Sequence, residues 1–227
     1  QELARTHPRD LVSVKLGQYH LFNQGDATGM LRLALDALPG ASDVAQMHGM
    51  AAFGWEQCHL LAQAEAAGRT ALAMTPREPW AQHALAHVML TDGRLAEGAA
   101  LLQQVSAPWS GLTSFMRCHL WWHLALFHIE LGDDAAALAL YDKQVWGVDT
   151  SYSQDQVGAV SLLARLELAG VAVGNRWDAL ARHLTGRVHD QVQPFLDLQY
   201  LYGLARAGRP EADAMLAAIE AHAPVAP

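Results

Sequence analysis

The sequence predicts an all-α protein, a right-handed superhelix of about six helical hairpins, and three observations carry that expectation. Apolar stretches of about 12 to 15 residues, rich in Ala and Leu, end repeatedly at a Gly followed by a polar residue, which is how helices stop. Alternating runs of Val, Ile and Thr, which strands need, hardly occur. Turn signals also recur at a fixed period. Gly25-Asp26, His59-Leu60, Gly93-Arg94 and Gly132-Asp133 stand 34, 34 and 39 residues apart. The small residues Ala52, Ala86 and Ala125 show the same steps, as do Ala64, Gly98 and Ala137. One five-residue insertion accounts for every late offset, and the turn-rich Pro108-Trp109-Ser110-Gly111 can absorb it at little cost.

Taken in order, the hairpins fall near 11–43, 45–78, 79–112, 114–148, 155–190 and 194–222. The first turns at Gly25-Asp26, and the second turns at His59-Leu60 and closes at Pro76. The third opens at Pro79 and turns at Gly93-Arg94, and the fourth turns at Gly132-Asp133. The last two run past Gly174 and past Gly208-Arg209-Pro210. Together they form a single repeat domain over 1–222, and the Pro-containing 223–227 is a flexible tail. No capping helix is expected in Gln1 to Arg9, which leaves an apolar edge at Leu11, Val14 and Leu16 for another polypeptide to cover. Alanines at the repeat positions are packing residues, and Trp55, Trp121, Trp146 and Trp177 are core anchors.

Composition narrows the function classes. With 15 Lys+Arg against 23 Asp+Glu the chain carries a net charge of -8, which excludes electrostatic capture of nucleic acid. At 52% apolar and 17% charged residues it has ample material for a core and is not disordered. Cys58 and Cys118 are too few for a disulfide framework, which points to a reducing, cytoplasmic setting. No apolar run reaches the roughly 18 residues of a membrane helix, and no secretory leader is read at Gln1. The missing initiator Met suggests a processed chain or a fragment.

A period of 34 residues is that of the tetratricopeptide unit, two antiparallel helices with aromatic, small and Pro residues at fixed offsets. In the fourth hairpin Trp121, Leu124, Ala125, His128, Ala137 and Tyr141 follow that pattern. Longer strings go further. The segments Gly49 to Gly54 (GMAAFG), Pro79 to His87 (PWAQHALAH), His119 to His128 (HLWWHLALFH) with Leu140-Tyr141-Asp142, and Arg165 to Val171 (RLELAGV) with Gly174, Arg176 and Trp177 resemble the tetratricopeptide repeat protein 38 family over roughly residues 8 to 208. The resemblance implies an α-helical repeat fold and no established reaction. Members are about twice this length, which implies an absent or separately encoded N-terminal part. Against the family's polar pattern this chain keeps His83, His87, His119, His123, Asp155 and Asp197, but has Leu90, Leu120, Gly158, Leu196 and Gln199 where the family is polar.

Candidate functional residues come from the histidines, 12 in 227 residues. His83/His87 and His119/His123 are each four apart, so each pair shares one helical face. The repeat register turns Trp80, His83 and His87 into the concave groove, with His119, Trp122 and His123 in the following hairpin and Tyr19 and Phe53 in the earlier ones. These eight residues are the expected ligand-binding set, with stacking on the aromatics and hydrogen bonds from the imidazoles. The partner is a protein, a peptide or a small molecule, with a companion N-terminal chain as a further option. No metal ligand set is assigned: the HExxH signature is missing, because Ala84 stands where its Glu would be. Cofactors are unassigned. An enzyme using the His cluster, with or without a metal and with Asp155 or Asp197 orienting a ring, is the alternative, and one half of a split two-chain protein is another. No phosphate loop or GxSxG elbow is present, and no catalytic residue is assigned.

Overall fold

Glycine and aspartate set the frame. In the computed structural model, which describes residues 2–222, the turn residues Gly25, His59, Gly93 and Gly132 all have φ between 59° and 74°. The 34-residue period of the sequence is thus a period of left-handed turns. Three are Gly, which adopts that conformation without a Cβ clash, and His59 adopts it as a side-chain-bearing residue. After two of these glycines an Asp caps the next helix: Asp26 accepts from the Gly29 amide at 2.8 Å, and Asp133 from that of Ala136 at 3.2 Å.

The described residues are helical apart from turns and loops, and they divide into two compact units, Gln1–Pro108 and Trp109–Pro227. The first holds α1 (Glu2–Thr6), α2 (Leu11–Asn23), α3 (Ala27–Ala37), α4 (Ala45–Gln57), α5 (Leu61–Met74), α6 (Pro79–Thr91) and α7 (Leu95–Val105). The second holds α8 (Ser114–Glu130), α9 (Asp134–Leu140), α10 (Ser153–Leu168), α11 (Arg176–Leu184), α12 (Pro194–Arg206) and α13 (Glu211–His222). The expected tail at 223–227 lies outside the described residues. No helix among them is long and apolar enough to cross a membrane.

In the first unit α2/α3, α4/α5 and α6/α7 are antiparallel hairpins. Ala51, Ala52, Ala64, Ala71 and Ala86 are fully buried where helices meet. Backbone meets backbone at Gly54, where a Cβ would stand 2.9 Å from the Leu31 Cα of α3. Gln18, also buried, spans two hairpins by donating to the Met30 and Met50 carbonyls. On the outside, Arg94 at the start of α7 grips Glu65 of α5 with two bonds of 2.7 and 2.9 Å, and Arg69 and Glu97 complete a four-charge network. The Arg94 guanidinium holds the Glu65 carboxyl down at about 2.

The second unit repeats the plan with α8/α9, α10/α11 and α12/α13. Its core is built from Leu162, Leu163, Leu166, Leu180, Leu184, Leu204 and Trp177. The final turn of α9 widens into a π-helical segment, Tyr141–Val145.

Two expectations change. Gln1 to Arg9 was expected to lack a capping helix, yet α1 forms there, with Glu2 and Arg5 paired one turn apart and Ala4 buried in the first unit's core. Val14 is accordingly covered, whereas Leu16 remains 63% exposed. The inserted Pro108 to Gly111 region is also no passive surface loop. It forms a 3-10 turn that plugs Trp109, 1% exposed, edge-on against Trp121 with ring centroids 4.7 Å apart.

Two measurements test this packing. Gly54→Ala should lower unfolding free energy by about 1 to 3 kcal/mol in denaturant titrations, because the Leu31 backbone cannot give way. Gly111→Ala, with nothing within 4 Å of the added carbon, should stay within about 0.5 kcal/mol of wild type. Glu65 supplies a pH signature. Its folded pKa is depressed, so its contribution is complete above the ordinary carboxylate range and is lost as pH falls toward about 2. Arg94→Ala should therefore flatten the acid limb of the stability curve.

Candidate functional site

Helices α2, α4 and α6 open the three hairpins of the first unit, and each sends rings to one side. Tyr19 of α2 meets Trp80 of α6 edge-on at 5.9 Å. Phe53 of α4 lies 5.9 Å from Trp80 and 5.6 Å from His83, and Trp80 and His83 are 5.6 Å apart. Phe22 extends the wall through Phe53 at 5.9 Å. His83 and His87, one turn apart on α6, bring their rings to 4.4 Å, with the two Nε2 atoms 3.1 Å apart. The other ring nitrogen of His87, Nδ1, lies 3.1 Å from Glu56 Oε1 on α4. Tyr19, Phe53, Trp80, His83 and His87 are therefore brought together within this unit.

The remaining three expected residues share α8 in the second unit. The His119 ring lies parallel to Trp122 (5.5 Å, 8°) and stacks on Phe115 (5.2 Å, 23°). His123 meets His119 at 81°, and their Nε2 atoms are 3.2 Å apart. Arg165 of α10 places its guanidinium 5.2 Å from the Trp122 ring. In each pair one imidazole is buried and one is partly open: His83 and His123 are 4% exposed, while His87 and His119 are intermediate.

Sequence reasoning missed Lys15 and Glu78 on this face. Lys15, one turn before Tyr19 on α2, puts Nζ 3.2 Å from the Trp80 ring centroid, 5.0 Å from Tyr19 and 5.4 Å from Phe53. Burial against these rings pulls its ammonium down to about 7. Glu78, 2% exposed, caps α6 by accepting from the Ala81 amide, and burial pushes its carboxyl up to about 7. Both signals were present in the sequence. Lys15 is one of two lysines in the chain and precedes Tyr19 by four, and Glu78 stands directly before the helix-opening Pro79.

The catalytic alternatives find less support in local chemistry. Burial, with Asp155 beside it, pushes the Cys118 thiol up to about 12, and burial also raises Cys58, so neither is poised as a thiolate. Asp155 accepts from Cys118 Sγ at 3.7 Å and from Ser114. The carboxylate set against one of the paired imidazoles is Glu56, rather than Asp155 or Asp197.

The depressed Lys15 is directly measurable. Competitive acylation across pH, read by mass spectrometry, should show Lys15 reaching half its limiting reactivity near pH 7, with the exposed Lys143 as internal reference. Since the unfolded chain still holds this proton between about pH 7 and pH 10.5, Lys15→Met should stabilise the protein most below pH 7. That gain should fade as pH rises toward 10.5.

No known protein family matches the chain by its sequence profile. Among solved structures it is similar to one described as the functional characterization of Pseudomonas aeruginosa PilF, with a TM-score of 0.58 and 18% identity over 94% of this chain and 99% of that one. It is also similar to the APC/C hetero-tetramer Cut9-Hcn1, with a TM-score of 0.39 and 12% identity over 96% of this chain and 51% of that one, a likeness too distant to carry an argument. At these identities the comparison speaks to fold alone. The chain is an all-α, tetratricopeptide-like helical repeat protein.

Proposed function

We propose that the protein is a binding module that holds an extended peptide against the ring-lined faces of its opening helices. One observation carries this reading: Tyr19, Phe53, Trp80 and His83, from α2, α4 and α6, form a connected ring wall within a single unit. Aromatic surfaces give large contact area at low side-chain entropy cost, which suits them as anchors. Tyr19 and Trp80 are only partly buried and stay within reach of a ligand, whereas Phe53 and His83 back them from beneath. Lys15 lies over Trp80 and offers N–H donors to an acidic or carbonyl-rich partner segment. In the second unit Phe115, His119 and Trp122 form a comparable stack on α8, with Arg165 beside it.

A cysteine nucleophile gains no support, since burial raises both thiols. The reading places the protein in the cytoplasm, where the free Cys58 and Cys118 stay reduced.

Random-peptide display against the wild-type protein, with counter-selection against Tyr19→Ala/Trp80→Ala, tests this directly. The expected outcome is a set of peptides that lose about 2 kcal/mol on the double variant, roughly 30-fold in Kd. Peptides that bind the folded variant equally well, or no enrichment at all, would remove the proposal.

A further inference from the structure

The wall contains a feature that stacking does not require. In both pairs, His83/His87 and His119/His123, the side chains turn their Nε2 atoms toward one another. The separations are 3.1 Å and 3.2 Å. Two imidazole nitrogens bound to one ion at the usual Zn–N length stand about 2.9 Å apart at a right angle and about 3.3 Å apart at the tetrahedral angle. Both observed values fall between those limits. We propose that each pair is a two-imidazole chelate for a borderline divalent transition metal, with zinc as the reference ion and Nε2 as the donor atom throughout.

Three further observations favour a metal over a simple ring-to-ring hydrogen bond. The first is Glu56. Its Oε1 lies 3.1 Å from His87 Nδ1, so the Nδ1–H donates to the carboxylate and the Nε2 lone pair is left facing His83. A carboxylate behind a histidine is the usual support of a ligating imidazole, since it fixes the tautomer and raises the basicity of the donor nitrogen. The second is repetition. The same one-turn spacing, with the same pair of nitrogens convergent, occurs on two different helices, α6 and α8, in surroundings that otherwise differ: Phe53 and Trp80 in one, Phe115 and Trp122 in the other. The third is burial. One member of each pair, His83 and His123, is 4% exposed, so the donors sit at the edge of a low-dielectric wall where bulk water competes poorly.

The chemistry asks little of the chain. With His87 fixed by Glu56, His83 needs only the tautomer that carries its proton on Nδ1 to present a second lone pair, and no net charge is created in the protein. Imidazole donors favour zinc, nickel and copper over magnesium or calcium, which require oxygen ligands. Each pair supplies two positions, and the rest are open to water, other side chains or a ligand. The inference does not depend on the peptide reading, because it concerns the imidazoles and Glu56, whereas that reading is tested at Tyr19 and Trp80.

The experiment uses the full chain, freed of metal with a chelator and titrated with Zn²⁺ by calorimetry, with Co²⁺ absorption as an independent report of nitrogen ligation. Wild type should bind zinc at micromolar or lower concentration, with about one to two ions per chain. His87→Gln and His119→Gln, the more open member of each pair, should each weaken zinc binding at its own pair by at least roughly tenfold, leaving the other pair's binding in place, while the circular dichroism stays helical. Glu56→Gln, which leaves every donor in place, should weaken binding at the His83/His87 pair by about ten- to a hundredfold. The inference is overturned if wild type binds no zinc. It is equally overturned if the folded His83→Gln/His87→Gln and His119→Gln/His123→Gln variants bind as wild type does, because adventitious surface ligands would then account for the signal. Magnesium competing equally with zinc would also sink it.

Discussion

A helical hairpin of this size cannot cover its own apolar face, and the rest of the structure depends on that insufficiency. Each hairpin must lay one flank on the next, and the contact is close only where side chains are small. The fully buried Ala51, Ala52, Ala64, Ala71 and Ala86 of the first unit, and Gly54 against the Leu31 backbone, are the result. Once those positions face a neighbour, the rotation of every helix is fixed. The rings of α2, α4 and α6 then emerge on a common side because the alanines and glycines have taken the other faces.

The ring wall carries a second constraint, which is electrostatic. Lys15 and Glu78 belong to the same unit and are both partly withdrawn from water, and burial moves each toward its neutral form. Such groups are costly in a purely structural repeat, where an apolar residue would pack as well. Glu56 stands on the same face, its Oε1 3.1 Å from His87 Nδ1. By contrast, the Arg94, Glu65, Arg69 and Glu97 network lies at the periphery of the same unit and holds its charges in their ordinary ionised forms.

Much of the fold was legible because repetition is a property of sequence. The series Gly25, His59, Gly93 and Gly132 could be read as a period before any torsion angle was known, and it proved to be a period of positive φ. The buried alanines followed from the same register. Helix α1 escaped because five residues ending in Arg-Thr carry too short a pattern, and its one buried contact, Ala4, is tertiary. The role of Trp109 escaped for a related reason. Its Pro, Ser and Gly neighbours read as a loop, and only the presence of Trp121 explains its burial. At the site, the ring types and their helical spacing were visible, but the inward turn of Nε2 depends on side-chain rotamers that spacing does not specify. The depressed Lys15 likewise required three aromatic residues from separate helices to be in place.

That the two nitrogens of each pair hang from a single helix, one turn apart, has a dynamic corollary. The separation survives only while that particular turn keeps its intrahelical hydrogen bonds, so fraying or local melting of α6 or α8 would disperse the donors without global unfolding. Anything captured by the convergent nitrogens must in return slow the opening of that turn. Amide exchange between residues 83 and 87, or between 119 and 123, would then register the occupancy of the side chains above them.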